Sequence, residues 1–203
     1  KHGLVLALNN GKIKGTDENE PLVETARFST ANKLYYGTWF RADEDYKDAY
    51  VDMVRQKVAP TAGSQGYNNT VLMEVGANRT DDSKKASGNA LEALDYYRSA
   101  VSVPTVSTKW FFPSDYDLIT LHDVVTKVNT SIGNTDGTQL VINDGDTKNG
   151  TFYWSNTERN EEWMWGNTMG SGNDTYSPSG SGSLTAKRYA SGYEGYFRMM
   201  LAF

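Results

Sequence analysis

Apolar residues recur along the first two thirds of the chain at the three- and four-residue spacing of amphipathic helices. A first such segment runs from Asp43, a candidate N-cap, to Pro60, which would end it. A second stops at Pro104 and carries on one face Ala86, Ala90, Leu94, Tyr97 and Val101. Between the two, the Gly/Asn-rich stretch GSQGYNNT reads as a loop followed by a short apolar run, VLMEVG. The spacing thus predicts helices in this part of the chain.

A third helix has the clearest local signature. Ser114, with Asp117 three residues later, forms an acidic capping box, and Gly133 would terminate the helix. Its apolar face consists of Leu118, Leu121, Val125, Val128 and Ile132. We predict one continuous helix between these two signals.

The two ends of the chain have β-type patterns instead. The apolar run Leu4 to Leu8 stops at Asn10-Gly11, a pair suited to a tight hairpin turn. Beyond Gly133 come only short β-type runs, QLVIN, TFYWS, EWMWG, LTAKRY and YFRMMLAF, and residues 166–183 are Gly/Ser-rich enough to predict a flexible surface loop.

Together these patterns predict a single α+β domain over residues 1–203, with helices in the first two thirds and an irregular, β-rich last third. The runs GLVLAL and FRMMLAF are the most apolar strands. We therefore expect the N- and C-terminal strands to pair at the centre of one sheet.

Composition removes several classes of function. The net charge is −5 and no Lys/Arg cluster occurs, which argues against nucleic acid or an anionic membrane surface as a partner. No apolar run is long enough to span a bilayer, so we expect no membrane insertion of this domain. The chain has no cysteine, which excludes disulfides, a thiolate nucleophile and Cys-ligated zinc, and favours a bacterial source.

Four motifs in this order carry a family resemblance: HGLVLAL, GYNNT, KWFFPSDYDLITL, and YWSNTE with a terminal FRMMLAF. Over nearly the whole chain they resemble the C-type-lectin-like surface domains of Bacteroidetes, whose pattern runs roughly WYLPS..EL..L, YWSSTE and VRPVLAF. Phe111-Phe112 and Met199-Met200 depart from that pattern. The resemblance implies a C-type-lectin-like fold.

Domains of this family occur at the ends of secreted lipoproteins and pilus-tip adhesins, and the fold is used by the variable proteins of diversity-generating retroelements. The resemblance implies a non-enzymatic domain that binds a protein or glycan ligand on a host or neighbouring cell. It implies a location at the cell surface, as a pilus tip or outer-membrane lipoprotein, or on a phage particle. Residues 153–203 would be the ligand-binding region, and the likeness to retroelement variable proteins implies that this region is diversified. The alternative is a structural pilus or cell-surface subunit that contacts other subunits.

Strand alternation suggests which residues of that region face a ligand. If Phe152, Trp154 and Trp163 face the core, the residues between them lie exposed at strand ends and turns. Tyr and Asn suit recognition because they combine contact area with adaptable hydrogen bonds. The predicted ligand-binding residues are Asn156, Glu158, Arg159, Asn160, Glu162, Met164, Trp165, Asn167, Tyr176, Thr185, Lys187, Tyr189 and Tyr193.

Three chemical alternatives have less support. Glu158, Glu161 and Glu162 could supply a glycosidase pair, but charged clusters in turns are usually solvated. His122 has no nucleophile elbow to support a catalytic triad. The loop from Asn143 to Gly150 has oxygen ligands for calcium, but Lys148 stands where a further ligand is needed, and the sugar-binding tripeptides EPN and WND are absent. We expect no catalytic residue and no cofactor.

Overall fold

A computed structural model of the chain describes residues 3–14, 21–29, 44–45, 64–77, 88–143, 151–160, 162–170, 182–188, 190 and 192–203. The elements, in chain order, are β1 Leu4–Leu6, β2 Thr25–Ala26, α1 Gly66–Ala77, α2 Asn89–Ala100, α3 Asp115–His122, α4 Val125–Ile132, β3 Tyr153–Glu158, β4 Trp163–Asn167, β5 Ser183–Lys187, β6 Gly195–Tyr196 and β7 Met200–Ala202. This is the predicted α+β class. Apart from residues 44–45, the helix predicted between Asp43 and Pro60 lies outside the described residues.

Two of the described helices relate differently to the sequence pattern. Helix α2 confirms the second predicted helix, with Ala90, Leu94 and Tyr97 buried. Helix α1 covers GYNNT and VLMEVG, and the loop expected over GYNNT is wrong. The buried face of α1 is half polar, because Asn69 and Thr70 lie inward beside Leu72 and Met73. The sequence of α1 therefore lacks the regular spacing of apolar residues that predicts a helix.

The predicted capping box is confirmed, but the helix behind it is broken. The backbone N–H of Asp117 donates to Ser114 Oγ at 3.3 Å, and the backbone N–H of Ser114 donates to Asp117 Oδ2 at 2.8 Å. Helix α3 ends at His122, and Val124 has a non-helical backbone before α4 begins. The break lets the two short helices bury separate apolar residues against the sheets.

The strands form two sheets. Strand β1 pairs antiparallel with β7, with Leu4 opposite Ala202, which confirms the pairing of the terminal strands. The pair forms a two-stranded sheet of its own, not the centre of a larger one. The second sheet has the order β2-β6-β3-β4-β5, in which β3 and β6 are parallel and the other neighbours are antiparallel.

Two local predictions outside the helices are wrong. Asn10-Gly11 does not form a tight hairpin turn, because the N–H of Gly11 donates to the carbonyl of Phe197 and the bridge back to this segment joins Ile13 to Val23. The run QLVIN contributes only a bridge from Asn143 to Met169 among the described residues.

The five-stranded sheet has an apolar cluster on each of its two faces. The first cluster contains Trp154, whose ring lies edge-on to Phe152 at 4.7 Å and to Phe28 at 5.7 Å. The second contains Tyr153 and Met200 together with α3 residues Leu118 and Leu121. All six residues of β3 are therefore buried, and alternation along this strand does not separate an inner from an outer face.

The predicted Gly/Ser-rich loop is shorter than expected within the described residues. Gly166 and Asn167 belong to β4, and Ser183 belongs to β5. Residues 166–170 are all buried, and residues 171–181 lie outside the described part of the chain.

Candidate functional site

The expected exposure is wrong for five of the predicted ligand-binding residues. All five are buried, with exposed fractions of 0%, because neighbouring elements cover both faces of the sheet. Met164 lies in the first apolar cluster, and Trp165 lies on the opposite side of β4. The five are Asn156, Glu158, Met164, Trp165 and Asn167.

Asn156 acts as an internal connector. Its side-chain amide donates to the carbonyl oxygens of Gly66 at 2.8 Å and Phe112 at 3.1 Å, and to Thr70 Oγ1 at 3.1 Å. Its Oδ1 accepts a hydrogen bond from Asn69 at 3.3 Å. These bonds attach helix α1 to strand β3, so the amide satisfies buried backbone groups and not a ligand.

Glu158 is also structural, as half of a buried ion pair. Arg188 Nη1 lies 3.0 Å from Glu158 Oε1, and neither side chain has any exposed area. The second guanidinium nitrogen of Arg188 donates to the carbonyl oxygen of Asn160, and its backbone N–H donates to the carbonyl oxygen of Glu162 at 3.0 Å. The pair therefore fixes the turn between β3 and β4 from inside.

That turn carries a cluster of accessible polar and aromatic residues. We call it the Trp163 surface, and it consists of Arg159, Asn160, Glu162, Trp163, Thr185, Lys187 and Tyr193. Six of these seven were predicted as ligand-binding residues. Trp163 was predicted to face the core, and this is wrong: its side chain is half-buried and lies on the opposite side of β4 from Met164.

The centre of the Trp163 surface is an aromatic pair covered by a cation. The rings of Trp163 and Tyr193 meet edge to face with centroids 5.9 Å apart. Lys187 lies directly opposite Trp163 in the strand register, and its Nζ is 5.4 Å from the Trp163 ring centroid. Lys187 Nζ also lies 3.5 Å from Glu162 Oε2. The ion pair is solvent-exposed and contributes little to stability, which leaves both charges usable for recognition.

The rim of the surface is held by short local hydrogen bonds. Arg159 Nη1 donates to Thr185 Oγ1 at 3.2 Å. Asn160 Oδ1 accepts from the backbone N–H groups of Glu162 at 2.9 Å and Trp163 at 3.0 Å. These bonds hold Arg159 and Asn160 in place, and side chains that are ordered before a partner binds lower the entropic cost of association.

Tyr176 and Tyr189 lie outside the described residues, so their predicted binding role stays a prediction. The same holds for the calcium alternative, because residues 144–150 lie outside as well. Among the described residues, no group of three or more His, Asp or Glu side chains could hold a metal ion. Within the same residues, no helix is long and apolar enough to cross a membrane.

The catalytic alternatives meet specific obstacles. The carboxylate of Glu158 is committed to Arg188, and that of Glu162 lies against Lys187 at the surface. Glu161, the third carboxylate of the glycosidase alternative, lies outside the described residues. His122 Nε2 lies 3.0 Å from the carbonyl oxygen of Gly170, and Nδ1 lies 3.5 Å from Asp123 Oδ1.

A second buried cation holds the chain ends together. Arg198 Nη1 donates to Asn10 Oδ1 at 3.1 Å, and Nη2 donates to the carbonyl oxygens of Leu8 and Thr138, both at 2.7 Å. Burial lowers the pKa of Arg198, and burial raises the pKa of the nearby Tyr153 to about 12. These groups are internal and lie outside the Trp163 surface.

The fold is similar to that of a fimbrial protein of known structure. A fimbrial protein from Bacteroides ovatus, known from a crystal structure at 1.85 Å resolution, superimposes with a TM-score of 0.64 at 21% sequence identity, covering 99% of this chain and 36% of that one. In sequence, the chain is 25% identical over 174 residues to a candidate fimbrium tip subunit, Fim1C, of Bacteroides ovatus, covering 81% of this chain and 28% of that protein. The chain thus spans only about a third of each. No family model matches it.

Proposed function

We propose that this chain is a domain of a fimbrial or other cell-surface subunit, and that its role is structural, through contacts with neighbouring subunits. The observation that carries the proposal is the fold likeness to a fimbrial protein over 99% of the chain, together with the sequence match to Fim1C. This favours the alternative of the sequence analysis over ligand binding as the main role. Neither similar protein supports a location on a phage particle.

The Trp163 surface is the described region best suited to such a contact. Protein interfaces are enriched in Trp, Tyr and Arg at their centres, and a few such side chains carry most of the binding energy. Trp163 and Tyr193 supply the aromatic anchor, and Arg159, Glu162 and Lys187 supply charges of both signs. A neighbouring subunit with complementary charges would bury the aromatic pair.

The test is the double variant Trp163→Ala/Tyr193→Ala, expressed in the bacterium that encodes the chain. We expect fewer assembled fimbriae by electron microscopy and more unassembled subunit by immunoblot. The control is Val106→Ala, since Val106 is 84% exposed and outside the surface. Absence of the chain from purified fimbriae and from the cell surface would contradict the proposal itself.

Adhesion is the second candidate, because six of the predicted ligand-binding residues meet on the same surface. An adhesive domain with the same double substitution would assemble normally and lose binding to protein or glycan arrays. Assembly and array binding therefore separate the two roles.

Two finer proposals depend on the family resemblance. The pairing of the terminal strands β1 and β7 supports a C-type-lectin-like organisation. If a retroelement diversifies the region, burial restricts tolerated variation among the described predicted positions to Arg159, Asn160, Glu162, Thr185, Lys187 and Tyr193. A reverse transcriptase gene beside an adenine-substituted copy of the coding region would support diversification, and absence of such a copy among related strains would end that part.

We also propose that the domain is non-enzymatic. The ion pair of Glu158 with Arg188 supports this, since it commits the buried carboxylate to a structural contact. Turnover of any glycan substrate that is lost in Glu162→Gln would contradict it.

A further inference from the structure

One edge of strand β1 pairs with no other strand among the residues that the structure describes. Gly3 and Phe203 exchange both backbone hydrogen bonds, at 3.0 and 3.2 Å, and the N–H of Ala7 donates to the carbonyl oxygen of Met199 at 2.9 Å. Hydrogen-bonded pairs alternate along an antiparallel ladder, so Leu4 and Leu6 direct their N–H and C=O groups away from β7. No other described residue bonds to these four groups.

The opposite edge of β7 is already covered. Phe111 and Met200 exchange both backbone hydrogen bonds, at 2.8 and 2.9 Å, and the carbonyl oxygen of Ala202 accepts from the N–H of Thr108 at 2.8 Å. The two-stranded sheet can therefore be extended only on the side of β1.

This edge has little of the usual protection against pairing. Proteins block edge strands with charged residues, proline, bulges or a covering loop, whereas residues 3–8 read GLVLAL and strand β1 pairs with β7 in unbroken register. Among the described residues, a loop covers the edge only at Leu8, whose carbonyl oxygen accepts from the N–H of Thr138 at 2.9 Å. Three side chains along it are also unusually accessible for aliphatic residues, with exposed fractions of 45% for Leu4, 38% for Val5 and 46% for Leu8.

A groove beside the edge could accept a side chain from an added strand. It has a volume of about 360 Å³ and lies between β1 and α4. Its apolar lining comes from Leu6, Leu8, Val128 and Ile132, and Lys127 is the single charged residue among those that line it.

We propose that β1 pairs antiparallel with β1 of a second copy of this chain, about a two-fold axis at Val5. The outward-facing residues Leu4 and Leu6 are placed symmetrically around Val5, so the axis puts Leu4 of each copy opposite Leu6 of the other. All four unpaired groups on each edge are then satisfied between the copies. The result is a continuous four-stranded sheet with the order β7-β1-β1-β7.

The same operation brings one leucine side chain to each of the two grooves. Residues opposite each other in a ladder place their side chains on one face, so Leu4 of the second copy lies beside Leu6, at the mouth of the groove. The edge itself carries no charge, so identical copies do not repel there. This self-complementarity favours a second copy over an unrelated strand, and the proposal is independent of the proposed fimbrial role.

The sharpest test is Val5→Cys in this chain, which has no cysteine of its own. Across the axis the two Cys side chains form a non-hydrogen-bonded pair with Cα atoms about 4.5 Å apart, within the range of a disulfide. Under mild oxidation we expect a covalent dimer on a non-reducing gel, formed about tenfold faster than for Val106→Cys, because the pair makes the reaction intramolecular.

Leu4→Cys is the register control. In the proposed pairing Leu4 of one copy lies opposite Leu6 of the other. The two substituted positions are therefore two residues apart along the paired strands, which is too far for a disulfide. Fast cross-linking of Val5→Cys alone supports the proposal. Equal cross-linking of Leu4→Cys or Val106→Cys, or none in Val5→Cys, overturns it.

A second measurement uses the cysteine-free chain in sedimentation equilibrium. Leu4→Lys would place a lysine beside Lys127 of the second copy, so we expect a concentration-dependent dimer to become monomeric with an unchanged circular dichroism spectrum. Val106→Lys is the charge-matched control and should still dimerise. A wild-type chain that stays monomeric at every concentration overturns the proposal and leaves the edge to a strand of another protein.

Discussion

Glu158 and Arg188 show how a polar residue between tryptophans can serve the interior. The two side chains are fully buried and face each other at 3.0 Å, and Arg188 also holds the turn that carries Asn160 and Glu162. Removing one partner of such a pair leaves a buried charge uncompensated, which costs far more than the intact pair contributes.

We therefore expect Glu158→Gln to lower the free energy of unfolding by about 3–5 kcal/mol. The matched control is Glu162→Gln, because the side chain of Glu162 is 52% exposed and pairs with Lys187 at the surface. Its cost should stay below about 1 kcal/mol. Urea unfolding followed by circular dichroism measures both. Equal losses in the two variants would contradict the structural role of Glu158.

At the residue scale, the sequence did not predict correctly which side chains of β3 and β4 are buried, because burial depends on the elements that pack over the sheet. Phe152 and Trp154 are in the core as predicted. Trp163, which was predicted to face the core, is half-buried, and Trp165, which was predicted to bind a ligand, is fully buried. Strand alternation separates core residues from surface residues only when one face of the sheet is buried and the other is exposed to solvent. Here α3 and the second apolar cluster cover the side of the sheet that strand parity leaves open, and only the strand end near Trp163 remains accessible.

At the scale of elements, the start of α3 depends on a few local bonds. Ser114 Oγ accepts from the N–H of Asp117 and also from the N–H of Gln65 at 3.4 Å, just before α1. The hydroxyl also donates to Asp117 Oδ2 at 2.7 Å. One buried serine therefore contributes to the starts of two helices.

Ser114→Ala should lower the free energy of unfolding by about 1–2 kcal/mol, the upper part of the range for an N-cap, because the freed N–H groups are buried. Ser99→Ala is the control, since Ser99 is exposed in the last turn of α2 and its change should be within about 0.5 kcal/mol. Thermal or urea unfolding measures the difference. A Ser114→Ala protein as stable as the control would show that the capping box is dispensable.

The elements that sequence could predict are those whose signal is local. The capping box needs only Ser114 and Asp117, and it appears as expected. Helix α1 was not predicted because two residues of its buried face, Asn69 and Thr70, are polar. Their burial is possible because they form hydrogen bonds with Asn156 and Phe112, which are more than forty residues away in sequence. No periodicity within the helix encodes those contacts.

At the scale of the whole molecule, the buried side chain of Tyr153 makes the free energy of unfolding depend on pH in the alkaline range. Burial raises the pKa of Tyr153 from the ordinary 10 to about 12, although its hydroxyl accepts a hydrogen bond from the N–H of Val141 at 2.9 Å. The unfolded chain loses this proton near pH 10 and the folded chain keeps it until about pH 12. The stabilisation is therefore complete below pH 10 and is lost as the pH rises towards 12.

We expect the free energy of unfolding to fall by about 2–3 kcal/mol from this group across that window, since each pKa unit corresponds to about 1.4 kcal/mol. Urea unfolding at several pH values between about 8 and 11.5 measures the fall. In Tyr153→Phe the free energy of unfolding should fall less steeply with pH. Tyr97 and Arg198 are present in both proteins, so the difference between the two profiles reports on Tyr153 alone. Identical pH profiles would contradict the assignment to Tyr153.

The overall class and the terminal pairing could be predicted because the most apolar runs stand at the two ends. The Trp163 surface could be predicted only in part. Arg159, Asn160 and Glu162 lie within four consecutive positions of the sequence. Thr185, Lys187 and Tyr193 reach them through the β4–β5 pairing and the fold of the last strands, which no local pattern specifies.

The antiparallel pairing of the chain ends also determines how this fold responds to tension. Gly3 and Phe203 are hydrogen-bonded neighbours, so a force that pulls the two ends apart loads one bond pair at a time and peels β1 from β7 as a zipper opens. When the load is applied between the two ends, β1 therefore separates from β7 at a lower force than would be needed to shear all the bonds of the ladder at once.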